Sequence, residues 1–418
     1  MRRTKTTVLA SAAISALCLE RSFAQDIRLY NDFRPADFPG EGCPLAGTVC
    51  IPRHPRTPST LTRATRFVRS PAIWSIGSQY PNANVNGPKM VKGITFGAPS
   101  NCTEAEFNEF TSQVLTDYAD GIADAAGHNR LMFHEAALYS AVSGPGGLGG
   151  PNGGWLRFPN NLAFPENAGL QGSVAYVEEM VKKYPCISYA DATSLIGAVV
   201  TEAAGGPSVA WMPGRSDANI TPENPLIVTR LPDGTFTSAG VVYFYTQMGM
   251  TDREMAVLNG GGHSIGGAGA SSSGWNGSFT PAAGSGFPTP KNLYFVQTFE
   301  NEWDPQVTLK SDGKPRLQYV LVGADGQPTL SIRGGYVIRI PSDVAILLDG
   351  REPTVRIDRV DRVDRAPTRL TLPDSLAHSH FPVLQAWAYS YYKDEELFMT
   401  DYGRVLQRIS QLGAGQDW

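Results

Sequence analysis

Eleven consecutive residues, Gly127-His128-Asn129-Arg130-Leu131-Met132-Phe133-His134-Glu135-Ala136-Ala137, constrain this chain more than any other stretch. In a helix, Arg130 and His134 lie four apart on one face, and Phe133 sits beside them. A guanidinium, an imidazole and an aromatic ring on one face form a roof over a bound reactant. The rest of the chain must then supply the floor and the walls. A lone histidine in an apolar helix is more often a satisfied core residue, so the weight of His134 depends on its partners elsewhere in the chain.

The formal net charge of −4 over 418 residues gives no electrostatic case for nucleic acid or an anionic membrane as partner. Gly (44) and Pro (31) are frequent, which predicts many loops; the hydrophobic content of 42% argues against disorder. The first 24 residues read as a secretory signal. Arg2, Arg3 and Lys5 are followed by the apolar run Val8 to Leu19 and by Ser22-Phe23-Ala24. That run is too short to span a membrane, and no later span is evident. The expectation is a secreted, extracellular monomer. Outside the signal, Cys43, Cys50, Cys102 and Cys186 allow three pairings. We favour Cys43–Cys50, which closes a short loop, with Cys102–Cys186. Asn101, Asn219 and Asn276 open glycosylation sequons.

Residues 25–103 show no helical period and many breakers, and read as a loop-rich extension. From Thr103 the pattern changes. Thr103-Glu104-Ala105-Glu106 predicts a capping box and a helix through Phe107, Phe110 and Val114. A second helix is expected over 122–142. The glycine-rich loop at 143–154 lacks the strand and the Lys-Ser/Thr of a phosphate loop. Further helices are expected through Val174 to Val181 and over 187–204, the latter buried. Thr251-Asp252-Arg253-Glu254 predicts another capped helix. It runs into Asn259-Gly260-Gly261-Gly262-His263, where small residues let a flat cofactor or another backbone approach. Residues 317–322 and 330–340 read as short strands about Asp325-Gly326. Residues 351–369 read as a charged insertion, and 383–412 as closing helices.

Taken together, these segments resemble the plant-type haem peroxidase superfamily. Arg130-Leu131-Met132-Phe133-His134 is similar to its distal Arg-x-x-aromatic-His motif. Asn167-Ala168-Gly169-Leu170-Gln171 is similar to the segment whose asparagine supports the distal histidine. Ala256 to Gly266 is similar to the proximal histidine segment, and Ile340-Pro341-Ser342-Asp343 to the one holding the aspartate behind it. Tyr184 to Asp191 and Gly214-Arg215-Ser216-Asp217 fall in the family's order. The resemblance covers residues 104–418 and is closest in wording to the cytochrome c and ascorbate peroxidase branch. There are departures. The proximal tryptophan of that branch, sixteen positions past the histidine, is Phe279 here. The arginine that ascorbate enzymes use for substrate falls at Ser272. Glu135 and Asn152 stand where secreted branches carry calcium-binding carboxylates, and Lys291 lies near another.

The resemblance implies a mainly α, two-subdomain haem peroxidase fold with a few short strands. Haem b would sit between a distal half, 104–245, and a proximal half, 246–418. It implies catalytic roles for Arg130, His134 and Asn167, with Phe133, Phe279 and Asp343 around the cofactor. His263 would be the axial ligand of the haem iron. Ser264 and Thr280 are candidates for a cation site, with calcium the first cation to consider. The activity implied is reduction of hydrogen peroxide through a high-valent iron-oxo intermediate, with one-electron oxidation of small donors, phenols among them. From the residues alone, Asp343 and Asn167 also read as helix caps, and Ser264 as an N-cap or packing residue. The alternative at the level of function is a non-catalytic haem-binding or structural wall protein on a degenerate peroxidase fold. A Ser-His-Asp hydrolase has no Gly-x-Ser-x-Gly elbow to support it.

Overall fold

The computed structural model describes residues 96–141, 149–219, 234–236, 238–281, 286–310, 313, 315–332, 334–347 and 374–414. The signal, the Cys43–Cys50 pairing and the charged insertion lie outside these residues. The capping signals in the sequence set two helix starts. Thr103 accepts from the Glu106 amide while Glu106 reaches back to the Thr103 amide, opening α1 (Glu104–Ala119). Thr251 and Glu254 do the same for α7 (Asp252–Ser264). Each box satisfies amides that a bare helix end leaves open.

Helix α2 (Ala125–Ala137) carries the Arg130–His134 stretch and is shorter than the 122–142 expected. Gly121 at φ +75° and the Asp124 side chain, which accepts from the Gly127 amide at 2.8 Å, fix its start. Its far end turns at Leu138, whose carbonyl lies so close to Gly149 that a Cβ there would sit at 2.2 Å. After the four-residue α3 (Pro159–Leu162) come α4 (Gln171–Lys183) and α5 (Tyr189–Ala203). Helix α5 is buried on nearly every face, as its sequence predicted, and packs on α2 and α1. Helices α6 (Ser238–Gln247), α8 (Leu293–Glu300), α9 (Pro341–Leu347), α10 (Asp374–Lys393) and α11 (Glu395–Ile409) complete the described helices. Helix α7 packs against α8, α10 and α11.

Strands are few and short. β1 (Phe96–Pro99) pairs antiparallel with β2 (Ser216–Ala218). A second sheet has the order β3 (Gly267–Ala268), β4 (Gly277–Ser278), β7 (Tyr336–Arg339), β6 (Pro315–Leu321), β5 (Trp303–Leu309). The sequence reading anticipated β6 and β7 and missed β5, whose Pro305 argues against a strand. Pro305 is tolerated because β5 is an edge strand. Cys102 and Cys186 form a disulfide, the second of the two expected bonds.

The glycine run at 260–262 splits into two uses. A Cβ on Gly260 would meet the Phe295 ring at 2.3 Å, and one on Gly261 the Tyr402 ring at 2.2 Å. These two glycines admit core aromatic rings. Gly262 differs, with nothing nearer than Asn129 Oδ1 at 3.9 Å, and it lines a cavity. Gly261→Ala is therefore expected to destabilise the fold by about 1–3 kcal/mol through overpacking. Gly262→Ala should lie within about 0.5 kcal/mol of the parent or above it, since alanine is the better helix former. Denaturant midpoints of the two variants check this.

Candidate active site

The 165–169 segment is the structural key to the Arg130–His134 face. It contributes Asn167 through a short 3-10 turn, Pro165–Asn167, that proline starts. His134 Nδ1 and Asn167 Oδ1 are 2.7 Å apart, and both residues are buried. The Asn167 amide donates through Nδ2 to the Asn161 carbonyl at 2.7 Å. That second bond fixes which way the amide points. Oδ1 must then accept, so His134 carries its proton on Nδ1 and keeps Nε2 as an acceptor. Asn167 is thus not the cap of α4, whose N-cap residue is Leu170 with no side-chain bond. Burial, reinforced by the Arg130 charge, lowers the His134 pKa to about 3.

Arg130 is held by the same segment. Its guanidinium donates to the Ala168 carbonyl at 2.9 Å and the Glu166 carbonyl at 2.6 Å. Burial lowers its pKa to about 10, so it stays cationic at neutral pH. Among the described residues two of its five N–H groups have protein partners. Phe133 meets His134 edge to face at 5.9 Å and packs against Phe244.

Arg130 and Phe133 line a cavity of about 440 Å³, together with His263, Phe279, Trp275 and Tyr245. The size lies in the range of about 300–1,000 Å³ found for small-molecule and cofactor sites. His134 and Asn167 are buried and are not themselves among the residues that line the cavity.

His263 comes from the last turn of α7. Its Nδ1 lies 2.7 Å from Asp343 Oδ1, and its ring stacks on Phe279 with centroids 3.9 Å apart and planes 4° off parallel. Asp343 is fully buried and well supplied with donors. Asn259 donates to Oδ1 at 2.9 Å, Tyr294 to the same oxygen at 2.7 Å, and the Ile340 amide to Oδ2 at 3.0 Å. The last of these is a capping contact made backwards from the third residue of α9 to the amide before the helix, so Asp343 is not itself the N-cap residue. Burial alone would raise its pKa; His263, Arg339 and the Ile340 amide outweigh burial and hold it below the usual carboxylate value. Asn259 and Tyr294 carry no mark of this role in the sequence. Asn259 falls within the proximal histidine segment, but nothing there singles out its side chain. Tyr294 sits on the eight-residue helix α8, too short to show a period.

The two hydroxyls expected at a cation site have protein partners. Ser264 donates to the Gly260 carbonyl at 2.8 Å and Thr280 to the Ser264 carbonyl at 3.0 Å. On the other side, Glu135 accepts from the Trp155 and Leu156 amides at 2.9 and 2.8 Å, and Asn152 from the Ser216 amide at 2.8 Å. Burial raises the Glu135 pKa to about 8. Among the described residues no group of three or more His, Cys, Asp or Glu side chains could hold a metal ion.

Comparison with known proteins agrees with this geometry. Residues 109–289 match the peroxidase family model. A Pyricularia oryzae protein, whose name describes a heme-binding peroxidase, is 28% identical over 72% of this chain and 83% of its own length. The peroxisomal L-ascorbate peroxidase 5 of Arabidopsis thaliana is 34% identical over 44% of this chain and 61% of its own. The mitochondrial cytochrome c peroxidase of Emericella nidulans is 34% identical over 46% and 50%. A carboxylate-tied histidine and a second histidine with a fixed tautomer beside an arginine both fall inside the matched segment, so residues 109–289 carry a peroxidase-family domain, similar to those of the ascorbate and cytochrome c peroxidases.

Proposed function

We propose that this chain binds haem b in the cavity, reduces hydrogen peroxide there and oxidises small donors, phenols among them, in one-electron steps. The observation that carries the reading is His263 on the cavity wall with its Nδ1 held 2.7 Å from the buried Asp343 carboxylate. Metal-ligating histidines characteristically give their second ring nitrogen to a carboxylate. Here Nδ1 is committed to Asp343, which leaves the Nε2 lone pair for iron. The cavity also has room for a flat group against the helix. A Cβ on the lining residue Gly262 would meet nothing nearer than Asn129 Oδ1 at 3.9 Å, and Phe279, Trp275 and Tyr245 supply apolar walls.

When bound, haem supplies the iron at which the peroxide O–O bond is cleaved and from which donors are then oxidised. His134 Nε2 takes the proton from peroxide and returns it to the departing oxygen. Asn167 keeps that nitrogen unprotonated between turnovers by holding the Nδ1 tautomer. Arg130 places a fixed positive charge beside the oxygen on which negative charge develops. Phe133 covers the site and excludes water. Asp343 raises the donor strength of His263. Asn259 and Tyr294 donate to Asp343 and hold its carboxylate towards His263. The basic and apolar run in residues 1–24 supports an extracellular setting, and the Cys102–Cys186 bond supports an oxidising one.

The test is direct. The haem-loaded protein, given hydrogen peroxide and a panel of ascorbate, Mn(II), ferrocytochrome c and phenols, should turn over with phenols. Haem uptake without turnover of any donor favours the non-catalytic alternative.

The pH dependence has a definite sign. An unfolded histidine protonates near pH 6.5, whereas His134 in the fold protonates near 3. Stability from this group is therefore fully present above pH 6.5 and is lost as pH falls from 6.5 toward about 3. The peroxide step should be flat from neutral pH to about 4 and fall as pH approaches 3, where neutral His134 disappears. Pre-steady-state rates across this range check it; a fall centred near 6.5 contradicts it.

A further inference from the structure

We infer that Lys310 and Arg316 form a carboxylate-binding subsite on the wall of the cavity. This deepens the proposed function and rests on it. Both residues line the cavity and both are half-buried. They reach it from the β5–β6 hairpin, Lys310 just past β5 and Arg316 within β6. Gly274, at φ +86°, makes room for them: a Cβ there would lie 2.8 Å from both Arg316 Cγ and Lys310 Cβ. The Arg316 guanidinium sits 5.9 Å from the Trp275 ring centroid.

Among the described residues, neither cation forms an ion pair with any carboxylate, including the cavity-lining Asp124 and Glu166. Arg316 Nε is buried without a hydrogen-bond partner. Two cationic side chains together on a cavity wall, with no carboxylate partner among the described residues, fit an anionic ligand. A planar guanidinium next to an ammonium matches a carboxylate best. The hydroxyls of Ser272 and Ser273, on the same wall, donate to the Gly269 carbonyl at 3.2 and 2.9 Å and so are already committed. Positive charge that the resemblance would place at position 272 is absent there, and the hairpin brings it in from another direction.

Two carboxylates could occupy the subsite: a propionate of the haem, or the carboxylate of an anionic phenolic donor. The variants are Lys310→Met and Arg316→Met, alone and combined, with Arg316→Lys to retain charge. In the first arm, apo protein is titrated with haem and with haem dimethyl ester, followed by absorbance. In the second, haem-loaded protein is assayed with 3-(4-hydroxyphenyl)propionate and with neutral 4-ethylphenol. We expect the double variant to change one ratio by about tenfold, the scale of losing a charge-assisted contact. A fall in preference for haem over its ester assigns the subsite to a propionate. A fall in the kcat/KM ratio of anionic to neutral phenol assigns it to the donor. Arg316→Lys should recover part of either shift. Unchanged ratios in both arms overturn the subsite. A parent protein that takes up neither haem nor ester overturns the haem reading itself, which is a distinct result.

Discussion

His134→Leu should slow the reaction of the haem-loaded protein with hydrogen peroxide by about a hundred- to ten-thousandfold, the range for a positioned acid–base group. The expectation rests on geometry. His134 is the neutral imidazole whose tautomer the Asn161–Asn167 chain fixes, with bonds of 2.7 Å at both links. Leucine removes the proton acceptor at Nε2. It also leaves Asn167 Oδ1 buried without its donor, a stability cost of about 1–3 kcal/mol. The two effects separate by measurement, one in stopped-flow absorbance and the other in a denaturant midpoint. An unchanged peroxide rate would remove His134 from the mechanism.

The largest stability effect is expected away from the cavity, at Asp191. Its carboxylate accepts Arg215 Nη1 at 2.7 Å and the Gly214 and Arg215 amides at 2.9 and 3.0 Å, with both side chains almost wholly buried. Arg215 also donates through Nη1 to the Met212 carbonyl at 2.7 Å and through Nε to the Ser410 carbonyl after α11. The pair therefore ties α5, the 212–217 loop and the end of the chain together. Asp191→Ala leaves a guanidinium in the core without its counter-charge. Breaking a buried pair in this way costs about 3–5 kcal/mol. We expect a drop of that size in unfolding free energy; a loss under about 1 kcal/mol would mean that the carbonyls alone satisfy Arg215.

How much of this was legible in the sequence depends on how locally each feature is encoded. The capping boxes at Thr103 and Thr251 are four-residue signals, and both occur as expected. The burial of α5 follows from its small and apolar composition. Counting sixteen positions from His263 reaches Phe279, and the structure stacks that ring on His263. Features made by distant segments are harder to read. Asn259 and Tyr294 converge on Asp343 from separations of 84 and 49 residues, and neither position carries a local signature. The expected extent of α2 is too long because its apolar pattern continues past the Leu138 turn, where contact with Gly149 ends it. Glycines 260 and 261, which read as room for a cofactor, are room for Phe295 and Tyr402. Only Gly262 of those three faces the cavity.

The central claim is that His263, braced by Asp343, presents Nε2 to the iron of a haem in the cavity. Absorbance and electron paramagnetic resonance spectra of the haem-loaded parent and of His263→Gly test it most directly. The parent should show ferric haem with a single histidine ligand. The variant should lose that spectrum and regain it when imidazole is added to fill the space left by the side chain. A variant that keeps the parent spectrum without imidazole would contradict the assignment of His263 as the ligand.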